Sequence, residues 1–166
     1  MTLPKDYVTG FLFSSDKTSV VLIEKLKPVN HRHMFNGLGG KVEDGELPRD
    51  AISREVAEEC GLDVPPSDWI HFLTLHRLGE YRASFLFACS DSIFAAKTLE
   101  VEKVRIFPVC KLPDASVYNL RWLIPLCLDK KLVFSSPIEL IQDRRPKSIK
   151  HCACLKANSH LPKWSR

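Results

Sequence analysis

The sequence predicts an α/β fold in which a mixed β-sheet lies between helices, and three observations lead there. Strand-like runs rich in β-branched and aromatic residues recur along the chain, two helical segments interrupt them, and there is no internal repeat. At 166 residues with 45% apolar types, the chain is long and apolar enough for one domain whose core needs no disulfides. The expected organisation is a domain over residues 1–143 followed by a basic tail over residues 144–166.

The elements follow in order. Tyr7 to Phe13 and Ser19 to Leu26, separated by Ser14-Ser15-Asp16-Lys17, read as a hairpin. Lys27 to Met34 is a polar loop whose Asn30, His31, Arg32 and His33 either meet a phosphate or are solvated. Phe35-Asn36-Gly37-Leu38-Gly39-Gly40-Lys41-Val42-Glu43 is glycine-rich, which lets the backbone approach a ligand closely. Val64-Pro65-Pro66-Ser67-Asp68 breaks the chain, and Trp69 to Leu75 and Tyr81 to Cys89 read as two strands around a turn at residues 77–80. Their alternation predicts one buried face. Ser90 to Lys103 is irregular and carries Asp91, Glu100 and Glu102, and a strand follows at Val104 to Phe107. Asn119 to Leu128 reads as a second helix with Asn119 as its N-cap, and Pro125 predicts either a kink or a later start. Lys131 to Phe134 and Ile138 to Gln142 read as a closing pair of strands.

The most informative stretch is Gly40 to Leu62. Pro48 suits a first helical turn and Gly61 a left-handed C-terminal residue, so the helix spans Pro48 to Cys60. A 100° projection puts Ile52, Val56 and Cys60 on one stripe with Glu55, Glu58 and Glu59 grouped on the adjacent arc. Like charges at this spacing cost about 0.2–0.5 kcal/mol per pair, and no lysine lies between Leu47 and Trp69 to offset them. The face therefore calls for positive charge from outside the helix. Clustered carboxylate oxygens suit a hard divalent cation such as Mg²⁺, which commonly shares its site with substrate phosphates.

The spacing adds a further identification. Gly40, Glu46, Arg54-Glu55-Val56, Glu58-Glu59 and Gly61-Leu62 match the signature of the Nudix hydrolases, and the chain resembles that family over roughly Lys5 to Asp143. The resemblance implies an α/β/α sandwich whose mixed sheet presents the catalytic helix, and cleavage of a nucleoside diphosphate linkage with Mg²⁺, for which Mn²⁺ substitutes. It implies Glu55, Glu58 and Glu59 as cation ligands joined by a carbonyl near Gly40. It further implies that Glu46 pairs with Arg54, which orients a glutamate. The general base is left open among Glu55, Glu59 and an acid of the late loop, Glu100 or Glu102.

Specificity has to come from outside the box. Residues 35–42 resemble the entry strand of the MutT-type oxidised-purine triphosphatases, which implies that Asn36 contacts a purine, with Phe35 where a tryptophan is usual. An amide both donates and accepts, as a base edge requires. Asn119 is a second candidate base reader, with helix capping as the alternative. Lys41 is either a point charge for a phosphate or a solvated lysine. The expected substrate is a nucleoside triphosphate, with 8-oxo-dGTP or another oxidised purine as its candidate form, cleaved to monophosphate and pyrophosphate. The alternatives are a dinucleoside polyphosphate, for which Tyr81 is the pointer, and ADP-ribose or a related nucleotide sugar. A regulator that binds nucleotides without cleaving them is a third class, and intact Arg54, Glu55, Glu58 and Glu59 argue against it.

Composition excludes other classes. No serine has a Gly-x-Ser-x-Gly setting, so covalent catalysis is not expected. The six cysteines are too sparse for a secreted disulfide scaffold and read as free thiols, four of them in apolar surroundings. His151, Cys152, Cys154 and His160 lack the paired spacing of common zinc sites. There is no basic segment followed by an apolar stretch at the start and no apolar run of membrane-spanning length, so a cytoplasmic location without membrane contact is expected. The net charge of +4 arises in the tail, where seven Lys or Arg and no acid follow Asp143, leaving 17 basic and 20 acidic residues upstream. Nucleic acid is not an expected partner except through that tail. Monomer and homodimer stay equally open.

Overall fold

Successive residues of a strand point to opposite sides, so a sheet apolar on both sides must be covered twice. The computed structural model describes residues 5–142. Its strands are β1 (Lys5–Phe13), β2 (Ser19–Lys25), β3 (Met34–Asn36), β4 (Ile70–Arg77), β5 (Tyr81–Cys89), β6 (Val104–Pro108) and β7 (Ile138–Gln142), with helices α1 (Pro48–Cys60) and α2 (Leu120–Leu128). The sheet runs β3-β2-β1-β5-β4-β7, and β6 also pairs with β2. β1 with β5 and β4 with β7 are parallel while the other pairings are antiparallel, so the sheet is mixed and the hairpin of β1 and β2 is present.

Two apolar clusters line its two sides. Val8, Leu12, Val21, Ile23, Leu86 and Ala88 meet Ile52, Val56 and Cys60 of α1. Phe11, Phe13, Val20, Leu22, Phe85 and Phe87 meet Leu120, Leu123, Ile124 and Cys127 of α2. This is the expected sandwich. Neighbouring residues of β5 fall in different clusters, so β5 is buried on both faces rather than one. The reason is its place between β1 and β4, with a helical layer on each side.

α1 begins and ends as its sequence dictates. Pro48 occupies the first turn, and Gly61 turns left-handed at φ 69°, its N–H donating to the Ala57 carbonyl at 3.0 Å. The helix lies close against β1 because Gly10 has no side chain: a Cβ there would sit 2.6 Å from Ile52 Cδ1 and 2.9 Å from the Trp69 ring.

Four expectations change. Lys131 to Phe134 forms no strand, because the Asp129 side chain accepts from the Lys131 N–H and turns the chain there. Phe134 instead packs edge-on against Phe72, and β7 joins β4 alone. Asn119 stands at the start of α2 with helical dihedrals and makes no side-chain capping bond. Of the two readings of Pro125 the later start does not hold, because α2 runs from Leu120 to Leu128 with Pro125 inside it. Of the thiols described, Cys60 and Cys127 are buried, whereas Cys89 ends a strand and Cys110 sits in a short turn, both exposed. The tail with its His151, Cys152, Cys154 and His160 lies outside the described residues. Among the described residues no helix is long and apolar enough to cross a membrane.

Ile52 is fully buried between helix and sheet. Ile52→Ala should cost about 2–5 kcal/mol in urea unfolding, the range for opening a cavity in a core. A loss below about 1 kcal/mol would mean that α1 is not held by this contact.

Candidate active site

α1 carries a guanidinium with no idle donor. Arg54 Nε donates to Glu46 Oε1 at 3.0 Å, and Nη2 donates to Glu46 Oε2 at 3.0 Å and to the Lys41 carbonyl at 3.1 Å. Nη1 donates to Glu55 Oε1 at 2.9 Å and to Glu58 Oε2 at 3.1 Å. A guanidinium has five N–H groups in a planar fork, and each finds an acceptor here. Glu46 is thereby held below the usual carboxylate range by its bond to Arg54, and it also accepts from the Glu43 N–H at 3.0 Å. The loop before α1 is tied to the helix at both ends of this bridge.

This corrects the reading of the acidic face. Much of its positive charge comes from the helix itself, since Arg54 reaches forward to Glu55 and to Glu58 one turn on. The outside contribution is Lys25 of β2, whose Nζ lies 3.7 Å from Glu59 Oε1 and 2.7 Å from Glu102 Oε2. Lys25 was legible by period two: Val21 and Ile23 face α1, and Lys25 is the next residue on that side.

The three glutamates differ in burial. Glu59 is 4% exposed, its Oε2 accepts from the Gly39 N–H at 2.9 Å, and burial pushes its carboxyl up to about 7 against the opposing pull of Lys25. Glu55 is half-buried and also pushed up by burial, while its bond to Arg54 opposes. The charge of Glu100 raises both carboxyls, so that late-loop acid lies within electrostatic reach, whereas Glu102 is held low by Lys25 and the Leu26 N–H despite its partial burial. Glu58 projects outward with its side chain 51% exposed.

Glycine shapes the floor. A Cβ at Gly40 would lie 2.6 Å from both carboxylate oxygens of Glu55, and one at Gly39, whose φ is 128°, would lie 2.4 Å from the Val8 carbonyl oxygen. Only bare backbone lets the carboxylate come so near. The Gly40 carbonyl accepts from the Val8 N–H at 2.9 Å, which leaves it one lone pair.

Among the described residues no three His, Cys, Asp or Glu side chains converge on one point, and Arg54 takes an oxygen from each of Glu55 and Glu58. The donor chemistry nonetheless fits a hard divalent cation. All the available donors are oxygens, and Glu55 lies against a glycine floor with a second oxygen free of hydrogen bonds among the described residues. Glu55 and Glu59 with outward-facing Glu58 would hold such an ion.

Asn36 and Asn119 sit on adjoining segments. The Phe35 N–H donates to the Ala115 carbonyl at 2.7 Å and the Val117 N–H to the Phe35 carbonyl at 2.9 Å, tying the approach to α2 against β3. The Oδ1 atoms of Asn36 and Asn119 are both buried and without a hydrogen-bond partner among the described residues. Phe35, 9% exposed, packs edge-on against Phe107 with centroids 4.8 Å apart, and the Arg105 guanidinium lies 5.9 Å from its ring centre. Lys41 is not with the glutamates. It lines a cavity of about 700 Å³ with Tyr81, Arg77 and Glu46, which contains none of Glu55, Glu58 and Glu59.

Known proteins resemble this chain in sequence and in fold. A family model described as NUDIX domain matches residues 4–125. An oxidized purine nucleoside triphosphate hydrolase of Danio rerio is 32% identical over 109 residues, covering 58% of this chain and 64% of that protein. The Mus musculus protein of the same description is 31% identical with the same coverage. The match thus spans less than two thirds of the length of these curated relatives. Among solved structures, a MutT NUDIX hydrolase from Burkholderia pseudomallei superposes with a TM-score of 0.59 at 18% identity, covering 72% of this chain and 95% of that one. A structure described as MutT from Aliivibrio salmonicida and Vibrio cholerae gives 0.55 at 22% identity, covering 68% and 90%. At these identities the structural likeness concerns the fold alone.

The Glu59 carboxyl, raised from 4.5 to about 7 in the folded chain, makes a prediction about pH. The stability it contributes is full below pH 4.5, the unfolded value, and is lost as pH rises through about 7. In chelator-treated protein, urea unfolding should therefore grow easier across this window, by on the order of 3 kcal/mol at most. Glu59→Gln should flatten that dependence. Equal slopes in wild type and variant would contradict the assignment.

Proposed function

This chain belongs to the NUDIX domain family, and we propose that it is a divalent-cation-dependent pyrophosphohydrolase acting on a purine nucleoside triphosphate, with an oxidised purine as the preferred base. The products would be the monophosphate and pyrophosphate. The observation that carries this reading is the set of α1 carboxylates braced by Arg54 against Glu46 beside a glycine floor. We take the domain to be residues 1–143 and the basic tail residues 144–166.

A divalent cation held by Glu55, Glu58 and Glu59, Mg²⁺ by preference and Mn²⁺ as a substitute, would supply Lewis-acid charge to the phosphates and acidity to the attacking water. The chain's own residues do the rest. Arg54 fixes Glu55 and Glu58 on the helix surface while its bonds to Glu46 keep the preceding loop in register. Glu59 is held by the Gly39 N–H and shielded from solvent. Glu55, whose carboxyl is raised by burial, offers the ion its one oxygen free of hydrogen bonds, and the proton acceptor is left among Glu55, Glu59 and Glu100. Glu102 serves poorly in that role because both its oxygens are engaged by Lys25 and the Leu26 N–H. Glu100 is the late-loop acid that adds negative charge near Glu55 and Glu59.

The choice of base rests on Asn36 and Asn119. A buried carbonyl without a donor costs about 1–3 kcal/mol, a penalty that N–H groups of a purine edge would relieve. Two such oxygens on adjoining segments favour a base with several donors. The activity for which the zebrafish and mouse relatives are named points the same way.

Purified protein with Mg²⁺ should release pyrophosphate from triphosphates, and Glu59→Gln should lower turnover by at least about a hundredfold. Across natural and oxidised dNTPs, ADP-ribose and dinucleoside polyphosphates, kcat/KM should be highest for oxidised purine triphosphates. Asn36→Ala should reduce that value by about tenfold or more while leaving pyrimidine triphosphates nearly unchanged. An equal fall for every substrate would remove Asn36 from base reading, and a chain that binds nucleotides without Mg²⁺-dependent release would be a regulator instead.

A further inference from the structure

We propose that Glu102 is a positioning residue that keeps the ammonium of Lys25 off Glu59, so that Glu59 retains a free oxygen for a divalent cation. This rests on the reading of Glu59 as a cation ligand given above. The distances carry it. Lys25 Nζ is 2.7 Å from Glu102 Oε2 but 3.7 Å from Glu59 Oε1. Charge-assisted N–H···O bonds measure about 2.7–2.9 Å, so the first is a full hydrogen bond and the second an ion pair that stops short of one.

Glu102 can restrain Lys25 because it is restrained itself. Its other oxygen, Oε1, accepts from the Leu26 N–H at 2.6 Å, so the carboxylate grips consecutive residues of one strand end, one by backbone and one by side chain. The segment carrying it is locked alongside β2, where the Glu24 N–H donates to the Lys103 carbonyl at 2.9 Å and Ile23 pairs with Val104. All three charged groups are largely shielded from water, with side chains 18%, 20% and 5% exposed for Lys25, Glu102 and Glu59.

The chemistry gives the gap its meaning. Glu59 Oε2 already accepts from the Gly39 N–H, which leaves Oε1 as the oxygen free of hydrogen bonds and the better placed for a cation. An ammonium at 3.7 Å offsets the buried negative charge without taking that oxygen's lone pairs. Without Glu102, Lys25 would close onto Oε1 and compete with an incoming cation for it. Glu102 would then act through Lys25, touching neither substrate nor ion.

The test uses Mn²⁺ alone as probe, with free Mn²⁺ read by electron paramagnetic resonance, at pH about 8.5 and in about 0.5 M KCl, where screening suppresses the effect of charges that do not touch the site. Glu102→Gln should weaken Mn²⁺ binding about tenfold, and adding Lys25→Met in the same chain should restore it to within about threefold of wild type. Wild-type affinity in Glu102→Gln would overturn the proposal, as would a double variant no tighter than Glu102→Gln. Wild-type protein that binds no Mn²⁺ would remove the cation site and this proposal together, whereas binding by wild type with no change in Glu102→Gln overturns the proposal alone. Circular dichroism verifies folding. If Glu102→Gln does not fold, Glu102→Asp, too short to hold both Leu26 and Lys25, takes its place with the same expectations.

Discussion

The bond between Arg54 and Glu46 is the constraint on which the rest of the site depends. A planar fork meeting a carboxylate with two parallel bonds fixes orientation as well as distance, which a lysine cannot do. Once Arg54 is oriented by the loop, its remaining donors have one direction in which to point, and Glu55 and Glu58 lie there. The loop is held in turn by the sheet, through bridges of Tyr7 with Lys41 and Gly10 with Leu38. A continuous chain of contacts therefore runs from β1 through the glycine-rich stretch after β3 and Glu46 to the acidic face of α1.

Concentrating carboxylates on a half-buried helix face is costly, and the fold answers with two cations of different kinds. Arg54 is a rigid multidentate donor on the outer edge, and Lys25 is a single ammonium on the inner edge, aimed by a strand. The deepest carboxyl, Glu59, still feels the cost, which is why it is raised to about 7 while Glu46 is held low. Residual electrostatic stress of this sort makes the face receptive to further positive charge. The two amide oxygens of Asn36 and Asn119, buried without a partner among the described residues, are its polar counterpart where β3 meets the approach to α2.

Much of this was legible in the sequence, for physical reasons that differ by element. α1 was readable to the residue because Pro48 and Gly61 have few other uses at those positions, whereas the partnership of Glu46 with Arg54 was implied by the resemblance to the Nudix hydrolases. The two-sided burial of β5 was not, because alternation within one strand cannot tell how many layers cover it. The strand expected at residues 131–134 failed against a local side-chain bond from Asp129, which outcompeted sheet pairing. Lys25 and Glu102 were missed as partners because an ion pair linking residues 77 positions apart leaves no periodic trace, although the inward phase of Lys25 was there to be seen. Asn119 looked like a cap by residue type, yet its dihedrals are already helical and its side chain makes no capping bond.

The central claim is that the α1 glutamates, arranged by Arg54 and Lys25, form the seat of a divalent cation. Anomalous diffraction from crystals of the chain soaked in Mn²⁺ tests it most directly. A single strong peak within coordination distance of Glu55 and Glu59, with Arg54 still bidentate to Glu46, is the predicted result. A peak elsewhere with these carboxylates unliganded, or a bound ion that displaces Arg54 from Glu46, would contradict it.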